Sequence, residues 1–278
     1  MNARPSLEPE TDPHDDPPAA EPVTDVLAVD THCHLFLVER ETREILDEAR
    51  AAGVGFVVCV GIDVETSRRS AELAQSYRGV FATAGVHPHT ASAFDRQAGS
   101  AIEELLGDPL VVGIGETGLD YFRRLSPPED QQRAFRTHIA LSRETGKPMV
   151  VHVREAWGDA MRILAEERAE RVVLHCFTGD EALVHEACAR GYFVSFAGNI
   201  TYPNAGEIRE AAAAALRGHV VVETDSPFLP PQTLRGKDNA PANLPAVLGT
   251  VAAAQDLSLE GMVEVSTANA RRAFPQIR

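Results

Sequence analysis

Eight short runs rich in Val, Ile and other apolar residues recur along the chain, each followed by a stretch with helical periodicity. The runs are 26–31 (VLAVDT), 55–60 (GFVVCV), 80–86 (VFATAGV), 110–115 (LVVGIG), 148–153 (PMVVHV), 171–176 (RVVLHC), 192–196 (YFVSF) and 219–224 (HVVVET). Amphipathic segments lie between them at 40–52, 63–77, 93–106, 128–146, 155–168, 180–190 and 204–217. Parallel strands need crossover connections, usually helices, so this alternation commits the chain to a parallel α/β architecture. Eight units in roughly 250 residues fit a closed (β/α)8 TIM barrel. An open doubly wound sheet is the alternative, but no Gly-rich phosphate loop follows the first run. The stretch "TGKP" at 145–148 reads as a helix stop before a strand start. No linker interrupts the pattern, so one domain is expected over residues 24–278. Residues 1–23, rich in Pro, Asp and Glu, are expected to be a disordered tail.

Strand parity then sorts the polar residues. Residues i and i+2 of a strand point the same way. In the first run Val26, Ala28, Asp30, His32 and His34 share one face, and Leu27, Val29, Thr31 and Cys33 the other. In the fourth, Val112 and Ile114 lead to Glu116; in the fifth, Val150 leads to His152 and Arg154. In the sixth, Val173 leads to His175; in the eighth, Val221 leads through Glu223 to Asp225. Five strands thus end in His, Glu or Asp with apolar residues behind, at the end where such barrels carry their active sites. Parity turns Cys33 and Cys176 away from the adjacent histidines.

Burying His32, His34, Glu116, His152, His175 and Asp225 together without partners would be costly. Neutral imidazole and carboxylate are, however, ligands for zinc, manganese, iron or cobalt. Six ligands exceed the needs of one tetrahedral ion, so two divalent ions are expected, with zinc, manganese and magnesium as candidates. Two such ions, two carboxylates and one hydroxide leave a net charge of +1, suited to an anionic substrate. Asp30 is expected a layer below the histidines, holding a ring in its tautomer or supporting the core. Glu223 is expected either to orient a ligand or to be a structural core carboxylate.

The formal net charge is −15, about a third of it from residues 1–22. That argues against a broad basic groove but allows a local cationic pocket. No run is long and apolar enough to span a bilayer, and the N-terminus lacks the pattern of a signal peptide. Four scattered cysteines without a CxxC pair are read as reduced thiols, hence a cytoplasmic protein. No obligate protein partner is inferred.

The motifs "DTHCHL", "GETGLDYF", "VHVREA", "HCFTG" and "ETDSPFLPP", in this order, resemble the TatD-like metal-dependent hydrolases of the amidohydrolase superfamily. The flanking "GVHPH", "RGKDNAPANLP" and "NARRAF" agree, and the resemblance runs from about residue 26 to the C-terminus. It implies a TIM barrel with one or two divalent ions. His32, His34 and Asp225 would bind the first, Glu116 would bridge, and His152 and His175 would hold the second. The family includes deoxyribonucleases. The sequence departs from the family's usual pattern at Val153, Glu155, Pro203 and Asn243, none of which belongs to the ligand set.

The expected activity is hydrolysis of a phosphodiester, with DNA as the expected partner, by a metal-activated hydroxide that Asp225 orients, accepting the proton lost when water forms it. His87 and Arg154 could contact phosphate or the leaving oxygen. Alternatively, His87 is a satisfied loop residue, and Arg154 forms a rim salt bridge near Glu155 or Asp120. Tyr121 could stack on a base or simply pack. Two other classes remain open: a hydrolase of amides, lactones or other esters on the same barrel, and a non-catalytic metal-binding platform. Enzymes that bridge their metals with a carboxylated lysine are disfavoured, because Lys147 precedes the fifth strand and Lys237 lies in a loop.

Overall fold

The computed structural model describes residues 27–278, so the expected N-terminal tail lies outside the described residues. Eight strands, β1 (Ala28–Cys33), β2 (Val54–Val60), β3 (Val80–Ala84), β4 (Val111–Asp120), β5 (Met149–Arg154), β6 (Val172–Leu174), β7 (Phe193–Phe196) and β8 (Val220–Val222), form one sheet in sequential order. All neighbouring strands pair in parallel. The sheet closes where Cys33 bridges Ser226. There the Asp225 N–H donates to the His32 carbonyl at 2.9 Å, and the His34 N–H to the Ser226 carbonyl at 2.7 Å. Sequential order with closure is the TIM barrel and excludes the doubly wound sheet.

Seven helices follow strands β1 to β7: α1 (Thr42–Ala51), α2 (Val64–Ser76), α3 (Arg96–Leu105), α4 (Pro128–Thr145), α5 (Trp157–Glu166), α6 (Glu181–Ala189) and α7 (Gly206–Ala214). Two more, α8 (Leu244–Ala254) and α9 (Leu259–Ala273), complete the chain. Local signals set their ends. Asp63 and Thr66 form a reciprocal capping box that starts α2. Helix α4 starts on Pro128, carries Glu129 and Asp130 in its first turn, and stops at Gly146 in the left-handed region, φ 68°.

Two apolar layers hold the barrel. Val29, Val58, Val60, Val112, Val150, Val173 and Val221 fill the interior, floored by Ala270, Ala273, Phe274 and Ile277 from α9 and the residues after it. The outer faces, including Val57, Cys59, Ile114, Met149, Val151, Leu174, Val220 and Val222, pack with the helices. Parity holds for β5, β6 and β8 but fails in two strands. In β1, Val29 rather than Ala28 is interior, and Asp30 pairs with the outward residue Val57. In β4, Ile114 is outward although Val112 is inward.

The reason is extra residues in these strands. Against β3, pairing runs Ala82–Val111 and then Thr83–Gly113, which turns Ile114 outward. Two further bulges follow: pairing runs Asp30–Val57 and then Cys33–Cys59 in β1, and Ile114–Met149 and then Thr117–Val151 in β4. Such bulges re-aim side chains, and these two fall at His32 and Glu116. Gly115, at φ 128°, makes the second possible, because a Cβ there would lie 2.4 Å from the Val150 carbonyl oxygen.

Asp30 therefore does not sit beneath the histidines on their face. Its buried carboxylate accepts the backbone N–H groups of Thr224 (2.9 Å) and His32 (3.2 Å), along with the Thr224 hydroxyl. It touches no imidazole by hydrogen bond and instead ties β1 to the end of β8. Burial pushes its pKa up to about 7 in spite of the Thr224 bonds.

Candidate metal centre

The barrel mouth gathers the six expected residues. His32 and His34 arrive from the closing seam, Glu116 from the β4 bulge, His152 from β5, and His175 and Asp225 from just beyond β6 and β8. All but His152 are buried. Glu116 spans two groups of donors. Its Oε2 lies 3.4 Å from His32 Nε2 and 3.7 Å from His34 Nε2. Asp225 Oδ1 closes that group, 3.5 Å from His34 Nε2 and 3.7 Å from His32 Nε2. On the other side Oε1 lies 3.0 Å from both His152 Nδ1 and His175 Nε2. Three sets of donors fit a common cation sphere, each set with its atoms within 4.8 Å: His32, His34 and Glu116; His32, His175 and Asp225; and His87, Glu116 and His152.

The outer nitrogens fix which inner nitrogens carry lone pairs. His34 Nδ1 faces the Val60 carbonyl at 2.8 Å, which can only accept, so Nδ1 carries the proton. His175 Nδ1 faces Glu223 Oε1 at 3.1 Å, and that oxygen also accepts the Cys176 N–H at 2.8 Å. In the neutral rings, His34 Nε2 and His175 Nε2 thus point lone pairs at the Glu116 and Asp225 oxygens. Such an arrangement needs a cation or extra protons.

The titration tendencies agree. Burial disfavours charge on every one of these groups. Even so, Asp225 and Glu116 lift His34, Glu116 with Asp120 lifts His152, and Glu116 with Glu223 lifts His175 well above the ordinary histidine range. His175 first, then His87 and His152, hold Glu116 well below the carboxylate range against its own burial. A pocket that recruits protons onto neighbouring imidazoles fits divalent cations by the same electrostatics.

His87 is different. Its Nδ1 accepts the His89 N–H at 3.1 Å, so its Nε2 carries the proton in the neutral ring and faces Glu116 Oε1 at 3.3 Å. Burial pushes its pKa down to about 4, keeping it a neutral donor. Glu223 is fully buried and braces His175 from behind. Asp120, weighed in the sequence only as a partner for Arg154, lies on the far side of His152 without hydrogen-bonding it. Its Oδ2 lies 3.4 Å from His152 Nε2 and 2.8 Å from His89 Nε2, and its Oδ1 accepts the Arg123 N–H. Counting by two from Glu116 through Gly118 reaches Asp120, so the signal was present in "GETGLD".

Arg154 forms no ion pair among the described residues. Its guanidinium lies instead over the Phe122 ring, 3.9 Å from the centroid. Tyr121 is committed to packing: its hydroxyl donates to Asp159 at 2.9 Å and accepts from Gln132 at 2.8 Å. Lys147 donates to the Asp108 and Val111 carbonyls near the start of β4, away from the mouth. The centre opens into a cleft of about 570 Å³ whose rim includes Arg123, Arg154, Cys176, Asn199 and Phe228. Several non-glycine residues just after the strands, Glu155, Cys176, Asp225 and Leu229 among them, have φ between 43° and 55°. Left-handed backbone at such residues costs of order 1–3 kcal/mol each and clusters where function demands a geometry.

Comparison with known proteins identifies the family and the fold. Residues 29–275 match the family described as "TatD related DNase". The chain is 36% identical to the Bacillus subtilis (strain 168) "Uncharacterized metal-dependent hydrolase YabD" over 88% of its own length and 98% of the relative's. It is 35% identical to the "3'-5' ssDNA/RNA exonuclease TatD" of Klebsiella pneumoniae (strain 342), over 84% of this chain and 92% of that one. The crystal structure of YJJV, a TatD homologue from Escherichia coli K12, superposes with a TM-score of 0.85 at 25% identity, covering 89% of this chain and 98% of that one. The chain belongs to the TatD related DNase family of metal-dependent hydrolases.

Proposed function

We propose that this chain hydrolyses phosphodiester bonds of nucleic acid, using two divalent cations held by the six residues at the barrel mouth. The observation that carries the reading is Glu116, with one carboxylate oxygen facing each donor group. His32, His34 and Asp225 would hold one ion, His152 and His175 the other, with Glu116 shared. Zinc or manganese suits the imidazole-rich set better than magnesium. Ions bound there would polarise a phosphoryl oxygen and make water acidic enough to attack at neutral pH.

The chain's own groups complete the chemistry. Asp225 is held in its charged form by His34, His32 and His175 against its burial, so it can accept the proton of the attacking water. His87 lines the cleft, and its neutral Nε2–H, which faces Glu116 Oε1 in the structure, would turn to donate to a phosphoryl or leaving oxygen. Arg123 and Arg154 at the rim attract the phosphates of the strand. The exonuclease named among the relatives supports a nucleic-acid substrate.

We also infer that residues 24–278 work as one catalytic domain, supported by the unbroken strand order and the extent of the family match. Among the described residues no helix is long and apolar enough to cross a membrane, and all four cysteines are unpaired. The free thiols support a reducing, cytoplasmic setting.

The test is elemental analysis of the purified protein, followed by assays of the stripped and reloaded enzyme on single-stranded DNA, RNA, lactones and dipeptides. Two equivalents of metal and metal-dependent strand cleavage are expected. Turnover of lactones or dipeptides without strand cleavage would overturn the nuclease reading in favour of another hydrolase on this barrel.

A further inference from the structure

Large apolar side chains at the surface are not spread evenly. Leu37, Phe122, Leu125 and Phe228 all lie on loops that follow strands, at the mouth, and each is at least 38% exposed. Single exposed apolar residues are unremarkable, but one of these, Phe228, lines the cleft, and another, Phe122, lies under Arg154, which also lines it. Phe228, 51% exposed, follows Asp225 by three residues. Its N–H donates to the Asp225 carbonyl at 2.8 Å, and its own carbonyl accepts the Asn239 side-chain amide at 2.6 Å. Asn239 is buried and also holds the Thr224 carbonyl, so the turn is braced on both sides. The ring stands 5.9 Å from that of His34, edge to face, and lines the cleft.

The second ring is tied to the cleft through Arg154, which lines it. Phe122, 52% exposed, follows Asp120 by two residues, and Arg154, which covers it, follows His152 by two. A cation on a ring face leaves the outer guanidinium plane available for stacking and its N–H groups for phosphate.

We propose that Phe228 and the Phe122–Arg154 pair are stacking planes for the bases on either side of the cleaved phosphodiester of a single strand, a reading that rests on the nuclease activity proposed above. A planar base is the occupant that fits. Phe228 packs beside His34, and Arg154 lines the same cleft two residues beyond His152. Positive charge also stands at this rim, in Arg123 and Arg154, although the chain as a whole carries −15. Bases in a duplex are already stacked and paired, so these planes select unpaired ends.

The test uses a short single strand carrying terminal 2-aminopurine, whose emission falls on stacking, and a matched strand with an abasic terminus. The wild-type protein should quench the probe. Phe228→Ala should lower the ratio of kcat/KM for base-bearing over abasic strands about tenfold or more, as loss of one stacked base predicts. It should also restore emission. Phe228→Trp should recover both, and Phe122→Ala should lower the ratio as well. Leu216→Ala, equally exposed but before β8 at the opposite end of the barrel, is the control. The proposal fails if Phe228→Ala and Phe122→Ala slow base-bearing and abasic strands equally, or if quenching survives both changes. Wild-type protein that quenches the probe through Phe228 yet cleaves no strand would overturn the nuclease reading alone. Cleavage with an unchanged ratio would overturn the stacking alone.

Discussion

Glu223 Oε1 lies 3.1 Å from His175 Nδ1, on the edge of the ring opposite the nitrogen that faces Glu116. His175 is thereby clamped between two carboxylates, one inside the centre and one beneath it. The inner nitrogen is left as a donor to a cation. Carboxylate–imidazole pairs of this kind fix ring orientation and tautomer and raise ligand basicity. Glu223→Gln should therefore lower metal affinity or turnover by about 10–100-fold, while the fold is retained. Calorimetric titration of the stripped protein with zinc or manganese reads this directly.

Asp120→Asn should act in the same direction on the other donor group, because the Asp120 carboxylate lies 3.4 Å from His152 Nε2, the nitrogen that does not face Glu116. A loss of about 10–100-fold in metal affinity is expected. The two effects should fall on different ions, so a two-site titration of each variant should weaken different sites. Weakening of the same site in both would contradict the assignment of His152 and His175 around Glu116 Oε1.

Replacing Glu116 should have a larger consequence, since its two oxygens face both donor groups. Glu116→Ala is expected to lower metal content and abolish turnover. A Glu116→Ala protein with two bound ions and full activity would falsify the bridging role.

Asp30→Ala should cost stability more than catalysis. It leaves the buried N–H groups of His32 and Thr224 and the Thr224 hydroxyl without their acceptor. Each unsatisfied buried group costs about 1–3 kcal/mol, so a loss of about 3 kcal/mol or more is expected in urea unfolding. Asp30→Asn, which keeps one acceptor oxygen, should recover part of it.

The stability of the barrel should also report on His138 in α4. Its Nε2 accepts the Val86 N–H at 3.1 Å, its Nδ1 donates to the Ala134 carbonyl, and burial lowers its pKa from 6.5 to about 4. Above pH 6.5 the ring is neutral in both folded and unfolded chains, and the buried neutral form costs nothing in protons. As the pH falls from 6.5 towards 4, the unfolded chain takes up a proton that the folded one refuses, and stability is lost. Between about pH 7.5 and pH 5 the loss should be about 2 kcal/mol. His138→Gln should lack this component, which a comparison of unfolding midpoints for the two proteins at both pH values will show.

By itself the sequence determined the barrel and the membership of its centre. Apolar runs separated by helical periodicity are local properties, and so are the polar residues that end those runs. His152, His175 and Asp225 could therefore be placed at the mouth by counting. Capping at Asp63 and the stop at Gly146 are equally local. What counting could not supply was the phase of β1 and β4. Extra residues in these strands exist only relative to the neighbouring strands, so Val29 and Ile114 exchange faces against strict alternation. The seam between β1 and β8 joins residues almost two hundred positions apart, and it sets His32, His34 and Asp225 side by side. Tertiary contact alone also decided the proton on His87, the approach of Asp120 to His152, and the stacking of Arg154 on Phe122. Each depends on atoms brought together by closure, where a pleat or a helical period carries no information.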